Sequence, residues 1–335
     1  MPRANSSIYR WLLLLPGPIV LVVLLTMIDV SALLTSLRQV DALLFGCAGL
    51  MLLTTVPMRT YRWRLLLGEL VEELPPFRDM LSIYAYATFV GIATPGRIGE
   101  FVKVLQLRQY GISAGAATAN VLTDRLLDIV SLLVIALVAF VLMVVPGTPN
   151  TAMVVLVVVG SIAGAIGGWV LLRSEAVERT FAAQSRKLWT PLRSLADRAA
   201  TITRNFRHAI RAQSARVLLI ASLPTFVGWA VVYAANFLIA RSIELHLSYP
   251  QIAGISSLSS LAAQLPATVM GLGTRDAALI LLLQPLGIPE EDALALSFLF
   301  LASILFVAAG CAPAMLSSAV VRTRATIDEA RSDGV

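Results

Sequence analysis

The apolar residues of this chain gather into blocks close to twenty residues long, and that spacing decides its solvent. A helix rises about 1.5 Å per residue, so each block covers a hydrocarbon core of roughly 30 Å. Inside such a core every backbone N–H and C=O needs a partner within the protein. Composition agrees: 14% of residues are charged, against about 25% in an ordinary soluble domain. The expected fold is all-α, a polytopic transmembrane helix bundle forming a single integral membrane domain over residues 1–335.

Six blocks read as full spans: Trp11 to Ile28, Ala42 to Met58, Ile129 to Val145, Thr151 to Leu172, Val217 to Ala240 and Ala295 to Val320. Arg3 and Arg10 precede the first like the start of a signal peptide, but Pro16-Gly17-Pro18 interrupts the run and no clean cleavage site follows, so it reads as an uncleaved span. Two further apolar regions are broken. Residues 81–110 break at Thr94-Pro95-Gly96-Arg97-Ile98-Gly99-Glu100, and residues 252–287 break at Gly271-Leu272-Gly273-Thr274-Arg275-Asp276. About ten helical residues follow each break, enough for about 15 Å, half the core. Each region is therefore expected to be a re-entrant helical hairpin. The alternative is an ordinary bundle of eight or ten spans with two polar loops.

Charge favours the hairpins. The segment 173–216 holds ten Arg or Lys residues against Glu175, Glu178 and Asp197, so it reads as a basic cytoplasmic linker between a first half, 1–172, and a second, 217–335. With Arg3 and Arg10 inside, two crossings return the chain to the cytoplasm at Arg59, Arg62 and Arg64. Only a region 81–110 that dips in and returns then leaves the linker inside, and the same count places the C-terminal Arg322, Arg324 and Arg331 inside. Both termini are expected in the cytoplasm. The net charge of +6 lies mostly outside the apolar blocks. With no folded basic domain, it implies anionic lipid at the cytoplasmic face, around Arg186, Lys187, Arg204, Arg207 and Arg211, rather than nucleic acid. Tyr61 to Leu74 reads as an interfacial helix anchored by Trp63.

The two broken regions also resemble each other. A shift of 176 residues carries Pro95 onto Gly271, Glu100 onto Asp276 and Gly111-Ile112 onto Gly287-Ile288. Hairpins of similar sequence entering from opposite faces make an inverted repeat, the plan of many secondary transporters.

Broken helices are tolerated at membrane depth where they line a cavity. Pro95, Gly96 and Gly99, with Gly271 and Gly273, permit the turns and a ligand's close approach. Helices beginning near Phe101 and Ala277 would aim their positive N-terminal ends at an anion. Arg97, Lys103 and Arg275 add positive charge, and Glu100 and Asp276 are the matching acids. Taken alone, Lys103 reads better as a snorkelling interface residue. Residues 113–145 read as one long helix bearing Asp124, Arg125 and Asp128 where it enters the apolar run. Arg125 and Asp128 have the spacing of a pair on one face, while Asp124 needs a cation from elsewhere, with Arg97 or Lys103 nearest in sequence. Intramembrane charges cost about 2.5–3.5 kcal/mol each on insertion scales, so three together imply a polar interior. Gln264 and Pro266 precede the second break, where they bind a ligand or shape the bend; Tyr84, Tyr86 and Thr88 read as packing. Cys47 and Cys311 lie in apolar runs and read as buried small hydrophobes, and neither they nor His208 and His246 form a metal pattern, so no metal or cofactor is expected.

On Arg62-Trp63-Arg64, the Pro95 to Glu100 motif, Asp124-Arg125-Leu126-Leu127-Asp128 and the Gly271 to Asp276 motif, the chain resembles the lysylphosphatidylglycerol synthase transmembrane-region, or flippase-like, family over nearly its whole length. The resemblance implies a non-enzymatic lipid translocase of a prokaryotic inner membrane. Its cargo would be a phospholipid or lipid-linked sugar such as aminoacylated phosphatidylglycerol, and a separately encoded synthase or glycosyltransferase a possible partner. The family usually has Glu before Arg125 and at position 276; Asp keeps the charge and shortens the reach. No aminoacyl-transfer domain follows residue 335, so the chain is not expected to make lysylphosphatidylglycerol. Two other classes stay open: an intramembrane enzyme acting on lipid phosphate, for which no nucleophile–base pair stands out, and a non-transporting scaffold.

Overall fold

The computed structural model describes residues 37–144, 211, 213–263 and 271–317. Every regular element in these residues is helical: α1 (Ala42–Leu67), α2 (Phe77–Ile92), a 3-10 turn (Pro95–Phe101), α3 (Val102–Arg108), α4 (Ala114–Val144), α5 (Ala215–Ser242), α6 (Tyr249–Ala263), α7 (Thr274–Leu283) with a 3-10 turn after it (Gln284–Leu286), and α8 (Glu290–Cys311), which runs into a 3-10 turn at Ala312–Leu316. Among the described residues, Ala42–Leu67, Ala215–Ser242 and Glu290–Ala314 are long and apolar enough to cross a membrane. The expected crossing at Ile129 lies within α4, which forms the long helix anticipated from residue 113 onward. The expected spans at Trp11 and Thr151, Gln264 and Pro266, most of the basic linker and the C-terminal arginines lie outside the described residues.

The expected interfacial helix at Tyr61 to Leu74 does not form. α1 continues through Arg62 and Trp63 to Leu67, and both of those side chains are buried. Trp63 packs against Tyr84 with ring centroids 5.9 Å apart, and Arg62 finds carboxylates inside the bundle. With internal partners for both, the helix end is drawn inward instead of lying on headgroups. Cys47, expected to be buried, is exposed on α1, whereas Cys311 is buried.

α1 and α5 form the central antiparallel pair. The N–H of Asp41, just before α1, donates to the Ser242 carbonyl at 2.9 Å. At the other end Gln213 Nε2 donates to the Leu66 carbonyl at 2.9 Å, and the Glu69 carboxylate accepts from Ser214 N–H at 2.5 Å, joining the end of α1 to the start of α5. One hydrophobic cluster gathers Ala48, Ile243, Leu247, Leu283 and Ala293, so the start of α1, the end of α5, the start of α6, the end of α7 and the start of α8 share one end of the bundle. Tyr110, beyond α3, donates to Asp79 near the start of α2 at 2.8 Å. The first broken segment thus begins and ends at one place.

Both breaks have local causes. In the first, Thr94 Oγ1 accepts from Gly99 N–H at 2.8 Å, and a Cβ on Gly99 would meet the Val90 carbonyl oxygen at 2.7 Å, so only glycine lets the turn close onto α2. In the second, Gly271 has φ 74, and a Cβ there would sit 2.5 Å from Ala263 Cβ and 3.0 Å from Ala263 Cα. Gly271→Ala is expected to cost about 2–4 kcal/mol, from a left-handed backbone and a contact that α6 cannot relax. Thermal unfolding in detergent checks this as a clear drop in melting temperature.

The shift of 176 residues extends beyond the breaks. It carries Ala114, the first residue of α4, onto Glu290, the first of α8, and Leu67 at the end of α1 to within one residue of the end of α5. Gly111 and Gly287, related by the same shift, have φ of 75 and 74. Packing is exchanged between the halves: α6 lies along α4, and α2 lies against α8.

Candidate functional site

Between the halves lies a cavity of about 200 Å³ that Arg59, Arg97, Arg125 and Arg275 line together with Glu100 and Asp128. Its charged wall rests on a network centred on Arg62, which is buried. Arg62 Nε donates to Asp124 Oδ1 at 2.9 Å, Nη2 to the same oxygen at 2.5 Å, and Nη1 to Asp128 Oδ1 at 2.6 Å. The planar guanidinium suits this task, because its fork serves two acids one helical turn apart that would otherwise repel. Lys103, fully buried, reaches Asp124 at 3.2 Å and Glu100 at 3.4 Å and lies 4.3 Å from the centre of the Tyr84 ring. Arg125 pairs with Glu100, Arg97 lies 3.8 Å from Glu100, and Arg59 lies 3.9 Å from Asp128. Among the described residues, five cations meet three carboxylates in this network and four arginines meet two carboxylates on the cavity lining, an excess of two positive charges in each case.

This arrangement corrects several expectations. Arg125 does not pair with Asp128; it turns to Glu100, and Asp128 is held by Arg62 and Arg59. The cations on Asp124 are Lys103, as one expectation had it, and Arg62; Arg97 pairs with Glu100 instead. Lys103 is no snorkelling interface residue, because its ammonium ends between two acids inside the bundle. Nor do helix N-termini supply an open anion site. α3 has only seven residues, and the start of α7 is taken by Asp276, whose Oδ2 accepts from Gly273 N–H at 2.8 Å. Asp276 also bonds Ser297 and lies 3.4 Å from Arg275. Lys103, Asp124 and Asp276 therefore stand behind the lining, whereas Arg97, Glu100, Arg125, Asp128 and Arg275 are on it.

The sequence reading missed Arg59, Arg62 and the wall contributed by α5 and α6. In sequence Arg59 and Arg62 both read as loop charges; the unmet demand of Asp124 for a cation is a signal for Arg62, and nothing comparable marks Arg59. Arg59 lies over Trp229, 4.9 Å from the ring centre. Tyr84 and Thr88, expected to pack, line the cavity, as do Asn236, Ser256, Ser259 and Ser260. Three donors on the lining residues are buried with no hydrogen bond among the described residues: Arg125 Nη2, which is ion-paired with Glu100, and Trp229 Nε1 and Arg275 Nη1, which are not so paired.

A second, more apolar crevice lies between α1, α2 and the end of α8, lined by Leu53, Leu81, Ala85 and Ala314, and Val56 borders both spaces. No curated protein matches the sequence. The family model described as the lysylphosphatidylglycerol synthase TM region matches residues 11–310. That model is of the membrane region rather than the synthase's catalytic part, so the match assigns no enzymatic activity. This multi-pass helical membrane protein belongs to the lysylphosphatidylglycerol synthase TM-region family.

Proposed function

We propose that this chain is a lipid translocase of the cytoplasmic membrane of a prokaryote, with both termini inside, moving a phospholipid or lipid-linked sugar with an anionic headgroup. The observation that carries the reading is the cavity's excess of arginine over carboxylate. A surplus of positive charge lining a cavity is costly in a bundle surrounded by lipid, and a phosphate is a group that offsets it. Arginine suits that role, since its planar donors match phosphate oxygens two at a time. The apolar crevice sharing Val56 gives the acyl chains a place while the headgroup occupies the cavity.

The two broken segments act as re-entrant hairpins of an inverted repeat. In support, Tyr110 ties the end of the first to its start. The two ends of the second meet in one cluster with the opposite end of α1. Rocking of one half against the other would then expose the cavity alternately to each side. The arginines hold the headgroup, and Glu100 and Asp128 keep them apart and partly neutralised when it leaves.

Proteoliposome flipping of a fluorescent anionic lipid tests the reading. Arg97→Ala with Arg275→Ala is expected to slow flipping at least about a hundred-fold, since two charge-assisted contacts of about 1.5–3 kcal/mol each are lost. Unchanged flipping of every anionic lipid tried would overturn it.

A further inference from the structure

The cavity lining presents two kinds of polar group, and together they specify more than a negative charge. One kind is arginine with its attendant acids. The other is neutral, and on α5 and α6 it comprises Asn236, Trp229, Ser256, Ser259 and Ser260. Asn236 Nδ2 donates to Ser256 Oγ at 3.1 Å, which holds the amide in place. The two unpartnered donors divide in the same way. Arg275 Nη1 is a charged donor suited to a phosphate oxygen, and Trp229 Nε1 is a neutral donor suited to a hydroxyl or ring oxygen. Arg275 is 4% exposed and Trp229 is 8% exposed, so a donor of either that finds no partner in the cavity carries a desolvation cost.

Equally informative is what the carboxylates do. Glu100 is held by Arg125, Lys103 and Arg97, and Asp128 by Arg62 and Arg59. Asp124 is held by Arg62 and Lys103, and Asp276 by Arg275, Ser297 and the Gly273 N–H. Each of these acids is already matched to cations or donors, so none remains to receive an ammonium. An amine-bearing headgroup would bring its positive charge into a space that already has two in excess.

Building on the translocase reading, we infer that the cavity selects a headgroup in which a phosphate diester carries a neutral polyol, glycerol or a sugar-like ring, and rejects headgroups bearing an ammonium. The phosphate lies on the arginines, with Arg275 Nη1 as one of its donors. The polyol hydroxyls lie against the serines and Asn236, with Trp229 Nε1 donating to one of their oxygens. Lysylphosphatidylglycerol, which carries two ammonium groups on one phosphate, is excluded by charge even though its glycerol would fit.

Displacement of a fluorescent phosphatidylglycerol from the full-length purified protein in detergent tests this without requiring transport. Phosphatidylglycerol and phosphatidylinositol are expected to displace it, the ratio between them separating a glycerol from a ring preference. Phosphatidylethanolamine and lysylphosphatidylglycerol are expected to displace at least about ten-fold more weakly. Trp229→Phe, which keeps the ring over which Arg59 lies and removes the N–H, should weaken phosphatidylglycerol about five-fold, the value of one ordinary hydrogen bond. It should leave phosphatidic acid, which has no polyol, unchanged; Ser260→Ala should act in the same direction. The inference is overturned if lysylphosphatidylglycerol binds as well as phosphatidylglycerol, or if both variants weaken phosphatidic acid equally. If neither phosphatidylglycerol nor phosphatidic acid binds, the translocase reading fails together with it.

Discussion

Arg62→Met is expected to leave little correctly folded protein, with a loss on the order of 3–5 kcal/mol, because it removes one partner of a buried ion cluster and leaves the others in place. Three of the close contacts to Asp124 and Asp128 come from this one guanidinium, and it also reaches Thr225 of α5 at 3.4 Å. It therefore ties α1, α4 and α5 together at a depth where water does not replace a lost partner. After its removal Asp124 keeps Lys103 at 3.2 Å, but among the described residues Asp128 keeps only Arg59 at 3.9 Å. Asp128 is thus the residue stranded by the change, and the pair has a distinctive signature. Adding Asp128→Asn to Arg62→Met should recover part of the lost stability, a coupling that two independent sites would not show. Arg62→Lys should fall between, since an ammonium keeps the charge but lacks the fork that spans two acids. Thermal unfolding of the purified proteins decides it. A melting temperature for Arg62→Met equal to the parent's would mean that the cluster contributes nothing to the fold.

How much of this was legible in the sequence depended on whether local chemistry decided the outcome. The breaks at Pro95 and Gly271 were visible because glycine and proline interrupt a helix whatever surrounds it. The long helix carrying Asp124 and Asp128 was visible for the opposite reason, since no breaker but Gly115 interrupts it. Arg62 was not legible. An arginine four residues beyond an apolar block looks the same whether it ends in headgroups or turns inward, and only carboxylates from α4, more than sixty residues away in sequence, decide between the two. Arg125 misled for a related reason. Its spacing to Asp128 is that of a favourable helical pair, but a pair on one helix contributes only a few tenths of a kcal/mol, and a better-placed acid on the 3-10 turn wins. The serine and asparagine wall gave no signal, because small polar residues scattered through an apolar run are ordinary in membrane helices.

Arg97→Gly is expected to abolish most transport while leaving the fold as stable as before or more so. Arg97 has φ 57, a left-handed backbone conformation that a side chain disfavours by about 1–2 kcal/mol. Glycine adopts it freely and loses up to about 1 kcal/mol more unfolded-state entropy, so the net change in stability lies between zero and about 2 kcal/mol in favour of glycine. Little holds this side chain in return. It is 38% exposed, and its one ion pair among the described residues, to Glu100, is 3.8 Å long; Glu100 keeps Arg125 and Lys103 without it. A strained backbone carrying a loosely paired, half-open cation is poorly explained as a structural element and well explained as a ligand-binding one. At an effective dielectric of about 20, a unit charge about 5 Å from a phosphate contributes on the order of 3 kcal/mol, which corresponds to about a hundred-fold in binding. Flipping of an anionic lipid should fall by that order in Arg97→Gly, with the melting temperature unchanged or raised, and Arg97→Lys should retain most of the rate because it keeps the charge. Transport at the parental rate in Arg97→Gly would remove Arg97 from the site, and a lowered melting temperature would mean that its contact with Glu100 outweighs the strain of its backbone.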